Sequence, residues 1–344
     1  MKIIISGAAG FIGSHAAKRY AAEGAEVIGI DNLSRPGAEE NLAWLGNSPG
    51  FRFVRTDVRD EGAVEALFRT HGDADLVLHA AGQVAVTTSV IDPRADFDTN
   101  ALGTLNMLES TRRHAPGAAF FFTSTNKVYG TLDALQVKSG VRYSFSAAVH
   151  GVSEDTPLDF HSPYGCSKGS ADQYVHDYAR IYGLKTVVFR QSCIYGTRQF
   201  GMEDQGWVAW FVIGSVLKKP LTIFGDGKQV RDVLWIDDLC ELYVRAFRRI
   251  DTISGSVYNI GGGPANTLSL LELVDILRER VDPTLTPKMA GWRPGDQRVF
   301  VSDIRKAERD LKWTPRIAPE EGVQRLIEWT CGSIPLLEKV LLTA

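Results

Sequence analysis

An apolar run that passes straight into a glycine loop constrains this chain more than any other feature. Ile3 to Ser6 is followed by Gly7-Ala8-Ala9-Gly10-Phe11-Ile12-Gly13. A buried strand that turns through glycines into a helix leaves bare backbone N–H groups at the helix N-terminus. The helix dipole makes that end favourable for an anion such as a pyrophosphate. The spacing is one residue longer than the common G-x-G-x-x-G, and a plain strand-to-helix turn would read the same in isolation. Asp31 separates the two readings. It closes the second apolar run, next to Asn32. An acidic group there accepts hydrogen bonds from a ribose 2′-hydroxyl and repels a 2′-phosphate, which favours NAD over NADP.

Successive segments repeat the same logic. Ile3 to Ser6, Val27 to Ile30, Phe51 to Val54, Leu76 to His79, Phe120 to Thr123 and Thr186 to Phe189 read as short buried strands with amphipathic stretches between them. Continuous apolar strands alternating with helices predict an α/β fold, a doubly wound parallel sheet covered on both faces. Asp57 and Val58 follow the third strand, in position for an adenine. Ala80, Ala81, Gly82 and Gln83 follow the fourth, where small residues let a cofactor lie close. At successive strand ends these groups trace a dinucleotide across the sheet edge.

Ser162 is suited to cap a helix, Pro163 to its first position, and Gly183 to its end. The stretch from Gly130 to Ser162 lacks clean periodicity and is long for a loop, as lids and binding loops are. After Ile194 glycine, proline and tryptophan become frequent. There a helix over Leu268 to Val281 is expected, with Ser269 and Glu272 forming a capping box. We expect residues 1–192 with 226–250 to form the dinucleotide-binding domain. Residues 193–225 with 251–344 form a smaller α/β substrate domain.

Composition narrows the class. With 44% hydrophobic and 23% charged residues the chain can bury a core, and its net charge of −3 offers no general basic surface for nucleic acid or anionic membrane. Cys166, Cys193, Cys240 and Cys331 share no metal-type or disulfide spacing, so no metal site is expected and free thiols fit a reducing compartment. No apolar run approaches the roughly 18–20 residues of a membrane span. No signal peptide is read at the N-terminus. A cytoplasmic protein is expected.

The chemistry concentrates around Tyr164-Gly-Cys-Ser-Lys168, just inside the Pro163 helix. Residues at i and i+4 share a helix face. A free phenol, with a pKa of about 10, is a poor base at neutral pH. An adjacent ammonium and a helix N-terminus both favour the phenolate, which yields a general base for a sugar hydroxyl. An exposed helix pair would give the same pattern, so its meaning depends on a hydroxyl partner. Thr123-Ser124-Thr125-Asn126-Lys127-Val128-Tyr129-Gly130 supplies candidates at the end of the fifth strand.

Together these motifs resemble the extended short-chain dehydrogenase/reductase superfamily over nearly the whole chain. The resemblance implies a Rossmann-type sheet, bound NAD and a catalytic set of Thr125, Tyr164 and Lys168. It extends the cofactor contacts to Gly7, Gly10, Phe11, Ile12, Gly13, Asp31, Asn32, Asp57, Val58, Ala80, Ala81, Gln83, Asn100, Thr123, Gln191 and Ser192. Within the superfamily the chain is similar to sugar-nucleotide epimerases. Sugar-nucleotide 4,6-dehydratases carry Asp-Glu after the catalytic threonine, whereas this chain has Asn126 and Lys127, and many UDP-sugar 4-epimerases carry Asn at the position of Cys193. The stretches 159–169, 195–207, 227–232, 259–262 and 296–300 resemble CDP-paratose 2-epimerases.

That resemblance implies a specific reaction. Tyr164 takes the proton from the 2-hydroxyl of a CDP-sugar while hydride passes from C2 to NAD⁺, and hydride then returns to the other face of a 2-keto sugar. Arg231 and Arg293 are the candidates for the substrate diphosphate, with Arg198, Gln199 and Arg298 as second choices. Asn126, Cys193 and Trp207 would line the sugar or base. Another nucleotide-sugar epimerase, dehydratase or reductase, and a non-catalytic NAD-binding sensor, remain alternative readings. Helices near Pro93 to His114 and Pro163 to Tyr182 resemble the superfamily's four-helix dimer interface, so a homodimer is expected.

Overall fold

The computed structural model describes residues 1–146, 150–293 and 296–342. Seven strands form one parallel sheet. They are β1 (Lys2–Ser6), β2 (Glu26–Asp31), β3 (Phe51–Arg55), β4 (Leu76–His79), β5 (Ala119–Thr125), β6 (Lys185–Gln191) and β7 (Ser256–Ile260), in the spatial order β7-β6-β5-β4-β1-β2-β3. The chain starts in the middle, winds outward through β3, then crosses β1 to build the other half from β4. The order reverses between β1 and β4, so their C-terminal ends open a crevice that no crossover helix fills.

Each strand's side chains divide between the two faces. Ile3, Ile5, Leu76, Leu78, Phe121, Val187 and Phe189 pack into one apolar layer. Ile4, Val77, Phe120, Phe122 and Val188 pack into the other. This period-2 division explains the unbroken apolar runs: a strand covered on both faces has no polar side. The first layer receives Ala16, Ala17 and Tyr20 from the helix Phe11–Ala22, with Leu239 and Tyr243 from the helix Ile236–Phe247. The second receives Met107 and Leu108, with Ala171 and Val175 from the helix Ser162–Tyr182.

The second unit is built on the strand Val230–Trp235. It pairs with Cys193–Tyr195, Thr267–Ser269 and Val299–Phe300. The capping box forms as expected, with Ser269 and Glu272 each bonding the other's backbone N–H. Two assignments change. β7 lies within 251–344, the stretch given to the substrate domain, yet it pairs along its length with β6 at the edge of the main sheet. Its isolation in sequence, far from the other parallel strands, hides that partner. Val230–Trp235, given to the first domain, pairs only with strands of the second unit, although the helix after it returns to the main sheet. The stretch 130–162 carries a hairpin, Val137–Ser139 with Tyr143–Phe145. It packs on Val230 and Val299 of the second unit, and Phe145 also packs against the cluster of Val128, Tyr129 and Phe300.

Candidate active site

The glycine loop has the close approaches that a cofactor cradle needs. Gly7 adopts φ +69°, and a Cβ there would lie 2.7 Å from the Ala81 nitrogen. At Gly13 a Cβ would lie 2.0 Å from the Gly7 carbonyl oxygen. Gly10 caps the first helix without any side-chain bond, so its leading N–H groups stay available to an anion. Gly7, Gly10, Phe11, Ile12, Gly13 and Ala80 line one crevice. Asp31 borders it, accepting from Ala9 N at 3.1 Å and Leu33 N at 2.8 Å. Burial raises its pKa, and those two N–H groups oppose the shift. Its remaining lone pairs suit ribose hydroxyls, so the residues present fit a dinucleotide.

The other expected cofactor positions spread along the same strand ends. Asn32 donates to Asp57 at 2.9 Å, and Arg59 holds the Asp57 carboxyl far below the usual range by bonds of 2.7 and 3.0 Å. The carbonyl of Val58 accepts from Asn106. Gln83 and Asn100 bond reciprocally, Gln83 N to Asn100 Oδ1 at 2.9 Å and Asn100 Nδ2 to Gln83 O at 3.1 Å. Asn100 sits in a π-helical turn, Asp98–Leu102, a distortion that turns its amide inward. Thr123 donates to the His79 carbonyl. Gln191 donates to Tyr243, and Ser192 to Asp232, so both side chains are already engaged inside the protein.

Thr125, Tyr164 and Lys168 converge at the C-terminal end of β5. All three are buried. Lys168 donates from Nζ to the Thr123 carbonyl at 2.6 Å and stands 4.1 Å above the Phe122 ring. The helix starts at Ser162 with His161 in the capping position; the Oγ of Ser162 accepts from Gly165 N at 3.2 Å, and the N–H of Tyr164 donates to Ser89. Burial pushes the Tyr164 phenol up to about 12, opposed by its hydrogen bond with Thr125, and burial pushes the Lys168 ammonium down to about 7, opposed by the Asp172 and Asp96 carboxylates. Burial thus works against the ionised form of both groups, and Lys168 makes its hydrogen bond to a backbone carbonyl.

A second cluster faces the triad. Trp207 Nε1 lies 3.4 Å from Cys193 Sγ, and Arg231 donates to Asp296 at 2.7 Å. Lys127 Nζ stands 4.0 Å from the same carboxylate. Asn126 is buried beside them. Two cations share one carboxylate here, which suits an incoming anion. Arg293 bonds Asp204 at 2.9 Å and lies 3.8 Å above the Phe224 ring. Arg298 lies over Tyr143 at 5.5 Å. Arg198 departs from its expected grouping. It stacks on Trp44 at 4.5 Å, donates to the Glu40 carbonyl, and lines the glycine-loop crevice with Gln199. Arg198 itself adopts φ +58°.

Three site neighbours escaped the sequence reading. Arg35 donates to Gln205 and faces Asp31 from the crevice wall. Its position four residues after Asp31 was the available signal. Lys127 was read only as a missing carboxylate. Asp96 carried no local signal at all.

Comparison with known proteins agrees with this geometry. Residues 3–261 match the NAD-dependent epimerase/dehydratase family. The chain is 46% identical over 336 residues to CDP-paratose 2-epimerase of Salmonella typhi, covering 96% of this chain and 99% of that one. Among solved structures it is similar to UDP-glucose 4-epimerase from Thermotoga maritima with UDP-glucose, at TM-score 0.84 and 32% identity, covering 97% of this chain and 100% of that one. It also resembles a dTDP-glucose 4,6-dehydratase from Streptomyces venezuelae with NAD bound, at TM-score 0.84 and 28% identity, covering 99% and 100% of the two chains. By the match over residues 3–261 and the 46% identity over nearly its whole length, the chain belongs to the NAD-dependent epimerase/dehydratase family.

Proposed function

We propose that this NAD-dependent nucleotide-sugar epimerase inverts C2 of a CDP-sugar, converting CDP-paratose to CDP-tyvelose through a 2-keto intermediate. The observation that carries the reading is the buried meeting of Thr125, Tyr164 and Lys168 beside Lys127, where an eliminating enzyme would need a carboxylate. Similarity to a CDP-paratose 2-epimerase at 46% identity supports this choice of sugar. NAD, when bound, accepts a hydride from the sugar carbon and returns it to the opposite face. Tyr164 takes the proton of the hydroxyl on that same carbon and gives it back. Thr125 orients that hydroxyl, and Lys168 carries the positive charge that stabilises the phenolate. Asp31 holds the cofactor ribose, with Gly7 to Gly13 on the pyrophosphate. Arg231, with Lys127 beside it, takes the substrate diphosphate, and Cys193 and Trp207 line the sugar.

The test is incubation in D₂O with CDP-paratose and, separately, with UDP-glucose and UDP-N-acetylglucosamine. We expect inversion at C2 of the CDP-sugar, no deuterium on carbon and no net use of added NADH. Deuterium at the inverted carbon would mean proton abstraction from carbon and would end this reading. Inversion at C4 of a UDP-sugar would reassign the substrate.

We place the enzyme in the cytoplasm as a homodimer. Among the described residues no helix is long and apolar enough to cross a membrane. Support for the dimer comes from apolar side chains left in water on neighbouring helices: Val90 at 64%, Ile91 at 84%, Phe97 at 51% and Ile181 at 65% exposure. Ile91→Asp should shift the light-scattering mass of the purified protein toward that of one chain. A mass unchanged from the wild type's dimer would remove these helices from the interface.

A further inference from the structure

Asp96 is only 1% exposed and sits directly behind the catalytic pair. Its carboxylate accepts from Ser167 Oγ at 2.5 Å, Gln83 Nε2 at 3.1 Å and Asn100 Nδ2 at 3.2 Å. All three donors are neutral. Among the described residues no lysine, arginine or histidine forms an ion pair with it. A buried carboxylate without a cation is costly, and such groups cluster where their field is used.

The groups facing Lys168 show where that field goes. From β4, His79 lies between Ser6 and Thr104, and burial keeps its imidazole neutral, pushed down to about 3. On the same helix as Lys168, Asp172 is taken by Arg190 of β6 through two bonds of 2.9 Å. Tyr164 is a neutral phenol. Asp172 and Asp96 both act on Lys168 by charge, Asp172 the more strongly; Asp96 is the one of the two without an ion-paired cation, and of the two it alone also acts on Tyr164.

We propose that Asp96 is a positioning residue of the proton-transfer machinery, holding Lys168 in its ammonium form by charge and fixing Gln83, Asn100 and Ser167 by hydrogen bonds. The inference rests on the reading that Tyr164 and Lys168 perform the proton transfer. Its sign follows from linkage. A negative neighbour raises the pH at which Lys168 loses its proton and also raises the pH at which Tyr164 ionises. Neutralising Asp96 therefore moves both events to lower pH.

The experiment compares wild type, Asp96→Asn and Asp96→Glu as NAD-loaded full chains. In the pH profile of turnover, measured on whichever nucleotide sugar the wild type converts, both limbs of Asp96→Asn should move down by about one pH unit, tenfold in activity at a fixed pH on a limb. Asp96→Glu, which keeps the charge, should leave the limbs where the wild type has them. A tyrosinate absorbance titration, referenced to Tyr164→Phe, needs no substrate. The Tyr164 step should appear at lower pH in Asp96→Asn. A lower profile with unmoved limbs, or an unmoved Tyr164 step, would reduce Asp96 to a structural role and overturn the proposal. If Asp96→Asn does not hold NAD, limbs shifted in Asp96→Glu would overturn it instead. Conversion of a UDP-sugar instead of CDP-paratose would count against the substrate assignment alone.

Discussion

Tyr164→Phe should keep NAD through purification and lose turnover by about 10²–10⁴-fold. The substitution removes one oxygen from a ring that is only 7% exposed and leaves the ring's packing in place. The folded state should therefore change little. What disappears is the group that accepts and returns the proton of the sugar hydroxyl. Neither Thr125 nor Lys168 can take over. Thr125 is a hydroxyl of much higher pKa, and the Lys168 ammonium points to the Thr123 carbonyl rather than toward a substrate oxygen. The checks are turnover of the nucleotide sugar, NAD released on denaturation, and the thermal midpoint. Turnover equal to wild type would remove the phenol from the mechanism. Lost NAD with lost turnover would show that the ring holds the cofactor instead of acting on the substrate.

The residues that were legible in the sequence are those whose meaning is local. Gly7 to Gly13 announce themselves because a tight turn, a close backbone approach and a helix start all fall within seven residues. Tyr164 and Lys168 are one helical turn apart, so their shared face follows from helix geometry alone. The strand runs were legible because full burial on both faces leaves no polar position. What could not be read depends on distant partners. β7 finds its place only by pairing with β6, across the whole second unit's first strands. Arg198 was a second choice for the diphosphate because a guanidinium binds phosphates; its stacking on Trp44 beside the glycine loop depends on a distant partner that the sequence does not reveal. Spacing brings Lys168 to the face of Tyr164, but the burial that works against the phenol's ionisation cannot be read from spacing. Asp96 is the extreme case: nothing local marks it, and only the fold places Ser167 and Gln83 around it.

Asp172 and Arg190 belong to the same unreadable class, and they set the second large effect. Asp172 is 0% exposed and Arg190 4%. The carboxylate accepts two bonds from Arg190, one from Ser124 at 2.7 Å and one from Gln173 Nε2 at 2.9 Å. Arg190 also donates to Tyr129 at 3.0 Å, and Tyr129 donates to Asn259 of β7 at 2.7 Å. One network thus ties the catalytic helix to the ends of β5, β6 and β7. Asp172→Ala leaves a guanidinium buried without its counter-charge, and breaking a buried pair from one side costs about 3–5 kcal/mol. The thermal midpoint should fall by on the order of 10 °C. Replacing both partners, as Asp172→Leu with Arg190→Met, leaves no stranded charge and should cost less than Asp172→Ala alone. Activity should separate the two variants from a pure stability effect. The double variant loses the bond that Ser124 gives to Asp172, next to Thr125, so its turnover should fall even where it stays folded. A double variant less stable than the single would show that packing, not the stranded charge, sets the cost.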